Sequence, residues 1–515
     1  MRTRFPSVCA IAVVVACGGG AGGGGNSGGD APRGGDAGGR DSTSTPDGPV
    51  PIDAPCGSAC APLATSWEHH YVGSGFGNTV EGIFVDGAGN TYLTGMYDAA
   101  IDLGGGALPF GGVVDILVAS YSPTGDLRWS TGFGGSGNDQ GTGITVAGGK
   151  VYVAGTFAGD VTLGGAVFHS AGQGDALVLV LDAATGALDT AFAHGTAGDD
   201  YNLGIAVDTA GNITVAGEFA TGTLDLGGSA ITGSADDNAY LASFTATGAH
   251  RWSRTLAGSP AVAGAGGAFD DAQAVVVDPA GDVTVVGEWM GTANFGSGTI
   301  TSGDAKNLDF DAFVASYTSA GAPRWSRSFA AITSFGNSAR TIGLGANGDV
   351  VVGGSFHGTV DFGGGHALTQ KGDVDGFAVV LAGATGATTF GRSVGDSDGS
   401  VISGAKLDSH GDVVVSGRMS GDSTDLGNGV VLAGHGGEDD SFAAGFDATT
   451  GDTLFGVRWG GAGLDTYVEA DALALSVHDS MAIGGVLNGP VDLGSGALAD
   501  GPTNSASGFA MLVTR

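Results

Sequence analysis

A glycine-bounded segment recurs seven times along this chain and constrains its fold more than any other feature. Each copy begins at Gly-Asn, Gly-Asp or Gly-Lys, or at Asp479-Ser480 in the last copy, and ends at a glycine. The closing glycines lie 60 to 70 residues apart and are Gly95, Gly155, Gly217, Gly287, Gly354, Gly417 and Gly485. A fixed period of this size indicates a repeat protein, in which each unit buries its apolar face against its neighbours.

The third copy shows what one repeat contains. Tyr201–Val207 predicts an apolar strand, and Asp208–Asn212 has the residues of a type I turn closed by a residue with positive φ. Ile213–Ala216 predicts the returning strand, which Gly217 ends. The chain has 103 glycines and only six glutamates, and its Val, Thr and Phe favour short strands over helices.

Three further signatures complete the repeat. A motif such as Leu224-Asp225-Leu226-Gly227 predicts a short outer hairpin, and Asp311–Tyr317 predicts a third main strand. A Gly-x-x-Arg-Trp motif predicts a fourth main strand at Trp129, Trp252 and Trp325. Four antiparallel strands repeated seven times predict an all-β fold, a seven-bladed β-propeller.

The two ends of the repeat region indicate how the ring closes. Trp67 belongs to a fourth strand with no third strand before it, and Phe509 belongs to a third strand with no fourth strand after it. Together they complete one blade, so we expect the N- and C-terminal strands to pair and remove a bare sheet edge. A solenoid is the alternative, but it needs polar caps that this sequence does not display. The propeller is predicted to span 66–515.

The repeat resembles a known family. The segments 134–144 and 195–217 are similar to the SBBP β-propeller repeat of bacterial surface and secreted proteins. The resemblance covers about 66–515 and implies a scaffold without a shared catalytic set. Two six-residue hairpins, Leu181–Gly186 and Phe446–Gly451, also resemble repeats of quinone-dependent propellers, but a likeness this local does not imply the cofactor.

The first residues form a targeting segment. Arg2 and Arg4 precede an apolar run of nine residues, which is too short to span a bilayer. The run ends at Cys17 in a sequence that resembles a bacterial lipobox, so residues 1–16 are predicted as a lipoprotein signal peptide and Cys17 as the lipidated residue. Gly18 follows the cysteine, and by resemblance to the sorting rule of enteric bacteria this indicates the outer membrane or cell surface of a Gram-negative bacterium.

Residues 17–65 are rich in Gly, Ser, Asp and Pro and predict a disordered tether. Such a segment would hold the propeller away from the membrane. Cys56 and Cys60 lie within it, and outside the cytoplasm they favour a local disulfide over metal binding, because no second Cys or His pair is near in sequence.

The charge limits the partners. The formal net charge is −35, nearly all of the acid is aspartate, and nucleic-acid binding needs clustered Lys and Arg that this chain lacks. We expect no nucleic acid partner, a membrane contact through the N-terminal lipid, a protein or polysaccharide partner, and a monomer.

No catalytic residue is predicted. The sequence has neither His-Glu-x-x-His nor a phosphate loop, and nothing in it marks a Ser-His-Asp triad. Glu218 and Glu288 occupy one repeat position that varies around the ring, as a binding face does, although ordinary strand-end variation explains the same pattern. No metal site or cofactor is predicted, with Ca²⁺ as an alternative at the denser acidic segments Asp236-Asp237, Asp270-Asp271 and Glu438–Asp440.

These features predict a lipid-anchored cell-envelope propeller that binds a partner without catalysis. One alternative is an extracytoplasmic lyase or glycoside hydrolase with its site at the mouth of the propeller. A funnel with converging acids, histidines or arginines would favour the enzyme, and a funnel of Ala, Val and Gly would oppose it. The other alternative is a purely structural or adhesive surface protein.

Overall fold

A computed structural model describes residues 63–72, 77–256, 258, 270–302, 310–330, 336–420, 423–434, 439–461, 466–494 and 506–514. All of them belong to one compact unit, Pro46–Arg515. The described residues form strands and turns and contain no helix. Accordingly, no helix in these ranges is long and apolar enough to cross a membrane.

The strands follow the repeats in chain order. The first strand and the first three repeats comprise β1 Ala64–Tyr71, β2 Thr79–Val85, β3 Thr91–Tyr97, β4 Asp115–Tyr121, β5 Leu127–Phe133, β6 Gln140–Ala147, β7 Lys150–Phe157, β8 Asp160–Leu163, β9 Ala166–His169, β10 Asp175–Asp182, β11 Leu188–His194, β12 Asp200–Val207, β13 Ile213–Leu224, β14 Ile231–Phe244 and β15 His250–Thr255.

The remaining repeats comprise β16 Asp271–Val277, β17 Val283–Trp289, β18 Thr292–Asn294, β19 Thr299–Thr301, β20 Asp311–Tyr317, β21 Pro323–Phe329, β22 Ser338–Leu344, β23 Val350–Phe356, β24 Thr359–Asp361, β25 Ala367–Thr369, β26 Asp375–Leu381, β27 Thr388–Val394, β28 Ser400–Leu407, β29 Val413–Ser420, β30 Ser423–Gly427, β31 Val430–Ala433, β32 Asp439–Phe446, β33 Thr453–Trp459, β34 Tyr467–Leu475, β35 Met481–Asn488 and β36 Ser507–Thr514.

The fold is an all-β propeller, but its sheets do not separate into seven blades as the sequence predicts. Five four-stranded sheets stand apart: β2–β5, β6-β7-β10-β11, β12–β15, β16-β17-β20-β21 and β22-β23-β26-β27. The other main strands form one eight-stranded sheet, because a parallel pair between Asp439 and Tyr467 joins β32 to β34. The short strands form four two-stranded hairpins, β8-β9, β18-β19, β24-β25 and β30-β31. The predicted count of seven separate blades is therefore corrected, since five blades stand apart as four-stranded sheets.

The predicted pairing of the chain's two ends is confirmed. β1 runs antiparallel to β36, with His69 opposite Ala510 and Tyr71 opposite Gly508. β1 begins at Ala64, two residues before the predicted boundary at 66. This pairing gives β36 its outer neighbour, so the last strand has no bare edge.

The seven closing glycines lie opposite a β-bulge in the first strand of each repeat. In the third repeat the register slips between Asn202 and Gly204, so Leu203 is an extra residue. A Cβ atom at Gly217 would stand 1.9 Å from the carbonyl oxygen of Tyr201, and the other six closing glycines face the equivalent oxygen at 1.9 to 2.1 Å. The recurring glycine is therefore required because the bulge brings a backbone carbonyl into the space of a side chain.

The predicted turns form as expected. Asp208 accepts hydrogen bonds from the backbone amides of Ala210 and Asn212 through Oδ1, and Gly211 has a φ of 81°. The last repeat lacks this glycine, yet its turn keeps the same backbone, because Asp479 itself adopts a φ of 61°. Aspartate tolerates this left-handed conformation better than most residues.

Aromatic residues of the outer strands join successive blades. The indole of Trp325 packs on Gly386 of the next blade and donates through Nε1 to the carbonyl oxygen of Gly383 at 2.9 Å. Trp129 and Trp252 make the equivalent contacts further round the ring. Trp67, on the N-terminal strand, packs in the same way on Gly125. Hydrophobic clusters that each draw on two neighbouring blades fill the space between them.

Candidate functional site: the central channel

The innermost strands of the seven repeats, β2, β6, β12, β16, β22, β28 and β34, surround one central channel. Its cavity volume is about 460 Å³. Small residues such as Gly82, Gly204 and Ala472 face it at one level, and apolar residues line much of the rest. The bulges place one extra residue per strand at the wall: Glu81, Thr142, Leu203, Gln273, Arg340, Ser403 and Asp471.

Five carboxyl residues beside one end of the channel, which we call the acidic mouth, are Glu81, Glu218, Asp271, Glu288 and Glu469. Of these, Glu81 lines the cavity itself, and the lining residues Gln273 and Arg340 interact with Asp271 and Glu288. These residues belong to the bulge segments or to the positions that pair with them. Sequence analysis singled out Glu218 and Glu288, and the structure brings both to this mouth. The pattern predicted neither Asp271, Glu81 nor Glu469 there, although all three lie just before a bulge or within one.

On one side of the acidic mouth, three carboxyl groups are close enough to shift one another's titration. Burial, followed by the charges of Asp237 and Glu288, raises the pKa of Glu218 to about 8. Burial and the charges of Glu288 and Glu218 raise the pKa of Asp271 well above its usual range. Burial also raises the pKa of Glu288, and the guanidinium of Arg340 opposes that rise. A pKa of about 8 keeps the carboxyl group of Glu218 protonated at neutral pH, so it can donate a hydrogen bond.

Asp271 is 7% exposed, and Gln273 donates to its Oδ2 at 2.7 Å. Its other oxygen, Oδ1, is buried and has no partner at standard hydrogen-bond geometry among the residues that the structure describes, although the backbone and side chain of Glu288 interact with the same carboxyl group. A buried polar atom of this kind costs about 1–3 kcal/mol when it stays unsatisfied. The oxygen therefore marks a position where a ligand donor or a water would be stabilising.

On the other side, Glu81 accepts a hydrogen bond from Thr79 at 2.6 Å through Oε1. Its Oε2 is buried and lacks a partner within the described ranges. Burial raises the pKa of Glu81, and the charge of Glu469 adds to the rise. Arg418 lies 3.0 Å from Glu469 and 3.7 Å from Asp439. Arg418 therefore supports the side of the mouth that contains Glu469, and Arg340 supports the side that contains Glu288.

Other buried aspartates have raised pKa values for structural reasons. Burial raises the pKa of Asp139 and Asp200 to about 6 and that of Asp270 to about 7. Each accepts hydrogen bonds from two backbone amides, as Asp270 does from Gly258 and Met290 at 2.9 Å. Backbone amides already bind these carboxylates, which therefore support the fold. The carboxylate of Asp270 is thus engaged and is not free to bind Ca²⁺, the alternative that the sequence raised for this segment.

The Asp-Leu-Gly motifs are confirmed as turn caps. Asp225 accepts from the amide of Gly227 at 2.9 Å, and Asp361 and Asp492 make the equivalent bond. The Ca²⁺ alternative at Glu438–Asp440 is weakened by Arg458, which lies 3.6 Å from Asp440. Glu438 and the side chain of Asp236 lie outside the described residues, as do Cys17, Cys56 and Cys60.

A group that the sequence analysis missed, Asp408, His410 and Asp479, lies where two neighbouring turns meet. Its ligand atoms lie within 4.8 Å of one another and could hold a metal ion. Ser409 donates to both oxygens of Asp479, at 2.9 Å from its amide and 2.6 Å from its hydroxyl. These bonds give the cluster a structural role in joining the two turns. The signal for it was the replacement of the turn glycine by Asp479.

Lys406 is a second cation of the channel wall, besides Arg340. It lies three residues beyond the bulge residue Ser403 on β28, about 10 Å further along the strand. Its Nζ donates to the carbonyl oxygen of Ile342 at 3.1 Å. Burial lowers the pKa of Lys406 to about 8, and no carboxylate among the described residues pairs with it.

Comparisons with known proteins show similarity to solved propellers only. No family model matches, so the resemblance to the SBBP repeat stays a prediction. No curated protein matches either. The chain is similar to a quinohemoprotein alcohol dehydrogenase from Comamonas testosteroni, with 12% identity, coverage of 87% of this chain and 76% of the other, and a TM-score of 0.40.

Two further structures illustrate the range of these propellers. A europium-containing methanol dehydrogenase shares 10% identity, with coverage of 88% and 93% and a TM-score of 0.42. BamB from Moraxella catarrhalis shares 11% identity, with coverage of 91% and 99% and a TM-score of 0.34. Similarity at this level describes the fold and assigns neither substrate, cofactor nor partner.

The prediction that this protein has no enzymatic activity is corrected by these comparisons. Several of the similar propellers are dehydrogenases by name. The channel combines both kinds of lining that the sequence analysis distinguished, because Glu81, Arg340 and Asp471 lie at the bulges while the rest of the wall is largely small and apolar.

Proposed function

We propose that this chain is a lipid-anchored protein of the bacterial cell envelope that binds a carbohydrate at the acidic mouth of a seven-bladed propeller. The anchor and the envelope location rest on Arg2, Arg4 and Cys17 in the N-terminal sequence. The blade number rests on the innermost strands, one from each of seven repeats, with the eight-stranded sheet counted as two blades joined by a single residue pair.

The unpartnered buried oxygen of Asp271 is the observation that carries the binding proposal. Sugar hydroxyls both donate and accept hydrogen bonds. Ionised carboxylates accept only, whereas carboxyl groups with raised pKa values also donate. The acidic mouth combines both kinds with Gln273 and Arg340, and a concave site with a few convergent polar groups is the usual form of a ligand site.

A glycan array with the full chain in detergent tests the proposal. We expect binding to a subset of bacterial surface glycans, and Asp271→Asn should weaken it by about tenfold, which corresponds to about 1.4 kcal/mol. Asp126→Asn makes the same substitution at an exposed turn outside the mouth and should leave binding unchanged. Absence of glycan binding, or equal binding by the Asp271 and Asp126 variants, contradicts the proposal.

A second candidate is acid–base cleavage of the bound glycan. The observation that favours it is the pKa of about 8 at Glu218, which keeps a proton available for a leaving group at neutral pH. Asp271 and Glu288 are the nearby carboxyl groups that would act with Glu218 in the acid–base reaction. New reducing ends should appear with wild type and decrease with Glu218→Gln. Glycan binding without any cleavage contradicts this second candidate alone.

A further inference from the structure

Lys406 is unlike the other described lysines. Lys150 forms ion pairs with Asp189 and, at 3.6 Å, with Asp182, and Lys371 lies 2.7 Å from Asp425. Both are surface ion pairs. Lys406 instead lines the channel, and its amine contacts a backbone carbonyl rather than a carboxylate. The charged residues on the neighbouring strands β22 and β34 are Arg340, Glu469 and Asp471, and they lie at or before the bulges, toward the acidic mouth.

The channel wall at the level of Lys406 is largely apolar. The equivalent positions on other inner strands are Phe84, Thr145 and Val276. On the adjacent strand the equivalent residue is Gly343, which packs closely against the backbone of Lys406, since a Cβ atom on it would lie 2.9 Å from the Cα of Lys406. A cavity of about 150 Å³ is enough to hold benzene. The channel volume of about 460 Å³ therefore accepts a small aromatic or aliphatic molecule next to the amine.

We propose that Lys406 is a covalent capture site for small aldehydes that enter the channel. The neutral amine nitrogen attacks the carbonyl carbon, and one N–H proton passes to the carbonyl oxygen to give a carbinolamine. Loss of the second N–H proton and of the hydroxyl group releases one water and leaves a C=N bond. The step consumes no oxidant or reductant, and water reverses it.

The apolar surroundings supply the condition that this reaction needs. Desolvation without an ionic partner favours the neutral amine, as in lysines that form Schiff bases. At pH 7.5 an amine with a pKa of about 8 is about one-quarter neutral, whereas an ordinary lysine is about one-thousandth neutral. A less basic amine is also a weaker nucleophile, so we expect a net preference of at least about tenfold over the surface lysines. The inference does not depend on glycan binding at the mouth.

The test traps the imine in the full-length protein. The chain has four lysines, Lys150, Lys306, Lys371 and Lys406, which makes peptide mapping simple. Protein is incubated at pH 7.5 with benzaldehyde and sodium cyanoborohydride, and benzylation of each lysine is measured by mass spectrometry. We expect Lys406 to be labelled at least tenfold faster than Lys150 and Lys371. Equal labelling, or slower labelling at Lys406, overturns the proposal without the need for any variant.

Two variants then separate the channel from general reactivity. Lys406→Arg keeps the cation but cannot form an imine, so the fast phase should disappear. Thr145→Phe narrows the channel at the level of Lys406 and should slow its labelling several-fold while Lys150 and Lys371 are labelled as before. If Thr145→Phe leaves the rate at Lys406 unchanged, the aldehyde does not reach the amine through the channel and the proposal fails.

Discussion

The closing glycine of each repeat should be the residue least able to accept a methyl group. At Gly155 a Cβ atom would stand 2.1 Å from the carbonyl oxygen of Gln140 and 3.2 Å from its carbon, whereas real Cβ contacts lie beyond 3.0 Å. The first two strands of the second repeat would have to separate by about 1 Å at the bulge. Overpacking of this kind costs about 1–3 kcal/mol, and alanine recovers about 0.4–1 kcal/mol by restricting the unfolded chain.

We therefore expect Gly155→Ala to destabilise the protein by about 1–2 kcal/mol. Urea unfolding followed by both circular dichroism and fluorescence measures the change as a lower midpoint with an unchanged slope. Gly87→Ala is the matched control, because its added methyl group meets nothing within 4 Å, and it should stay within about 0.5 kcal/mol of wild type. The reasoning is refuted if the two variants have the same midpoint, since the bulge would then tolerate a side chain.

Four further outcomes are expected. Lys406→Met should stabilise the fold by about 2–3 kcal/mol below pH 8, because the folded state lowers the pKa of Lys406 from 10.5 to about 8. The wild type regains this stability as the pH rises from 8 to 10.5, so the denaturation curves of the two proteins should converge above that range. The folded state raises the pKa of Glu218 from 4.5 to about 8, so the free energy of unfolding of the wild type should fall by up to about 1.4 kcal/mol per pH unit as the pH rises from 4.5 to 8. Glu218→Gln should flatten this dependence of stability on pH in urea titrations, and an unchanged dependence would contradict the assignment. Trp325→Phe removes the bond to Gly383 and should cost about 1–3 kcal/mol by thermal or urea unfolding. Cys17→Ala should release the protein from membrane fractions in sedimentation assays, and persistent membrane association would rule out the lipobox.

The repeating features of the fold could be predicted from the sequence because each has a local cause. The turn at Asp208–Asn212 follows from the residues that form it, and the pairing of β1 with β36 follows from two incomplete repeats. The continuous sheet of the last two repeats could not be predicted. It depends on one parallel pair, Asp439 with Tyr467, and a single contact between blades leaves no periodic signal.

The candidate site could be predicted only in part. Glu218 and Glu288 were recognisable because they follow the closing glycine, a position with a clear repeat frame. Asp271 pairs across the sheet with Glu288, and that contact depends on the register set by the bulge. Lys406 could not be predicted for a different reason. A lysine near the end of a strand is normally a solvated charge, and the closed ring is what shows that this strand faces an interior channel.

The bulge explains why the same feature builds the scaffold and the site. It requires glycine on the second strand of every repeat, and this gives the periodic signal. It also inserts one residue on the first strand whose side chain is not needed for sheet pairing, and this residue faces the channel as Glu81, Gln273, Arg340 or Asp471. Substitution at an inserted position changes the chemistry of the channel at little cost to pairing, whereas substitution of the opposing glycine damages the sheet. Asp200 is satisfied by backbone amides and supports the fold, whereas Asp271 keeps a buried oxygen without a partner among the described residues. The chemistry of this propeller is therefore concentrated in the residues next to the glycines, which is where further substitutions should alter binding without unfolding the ring.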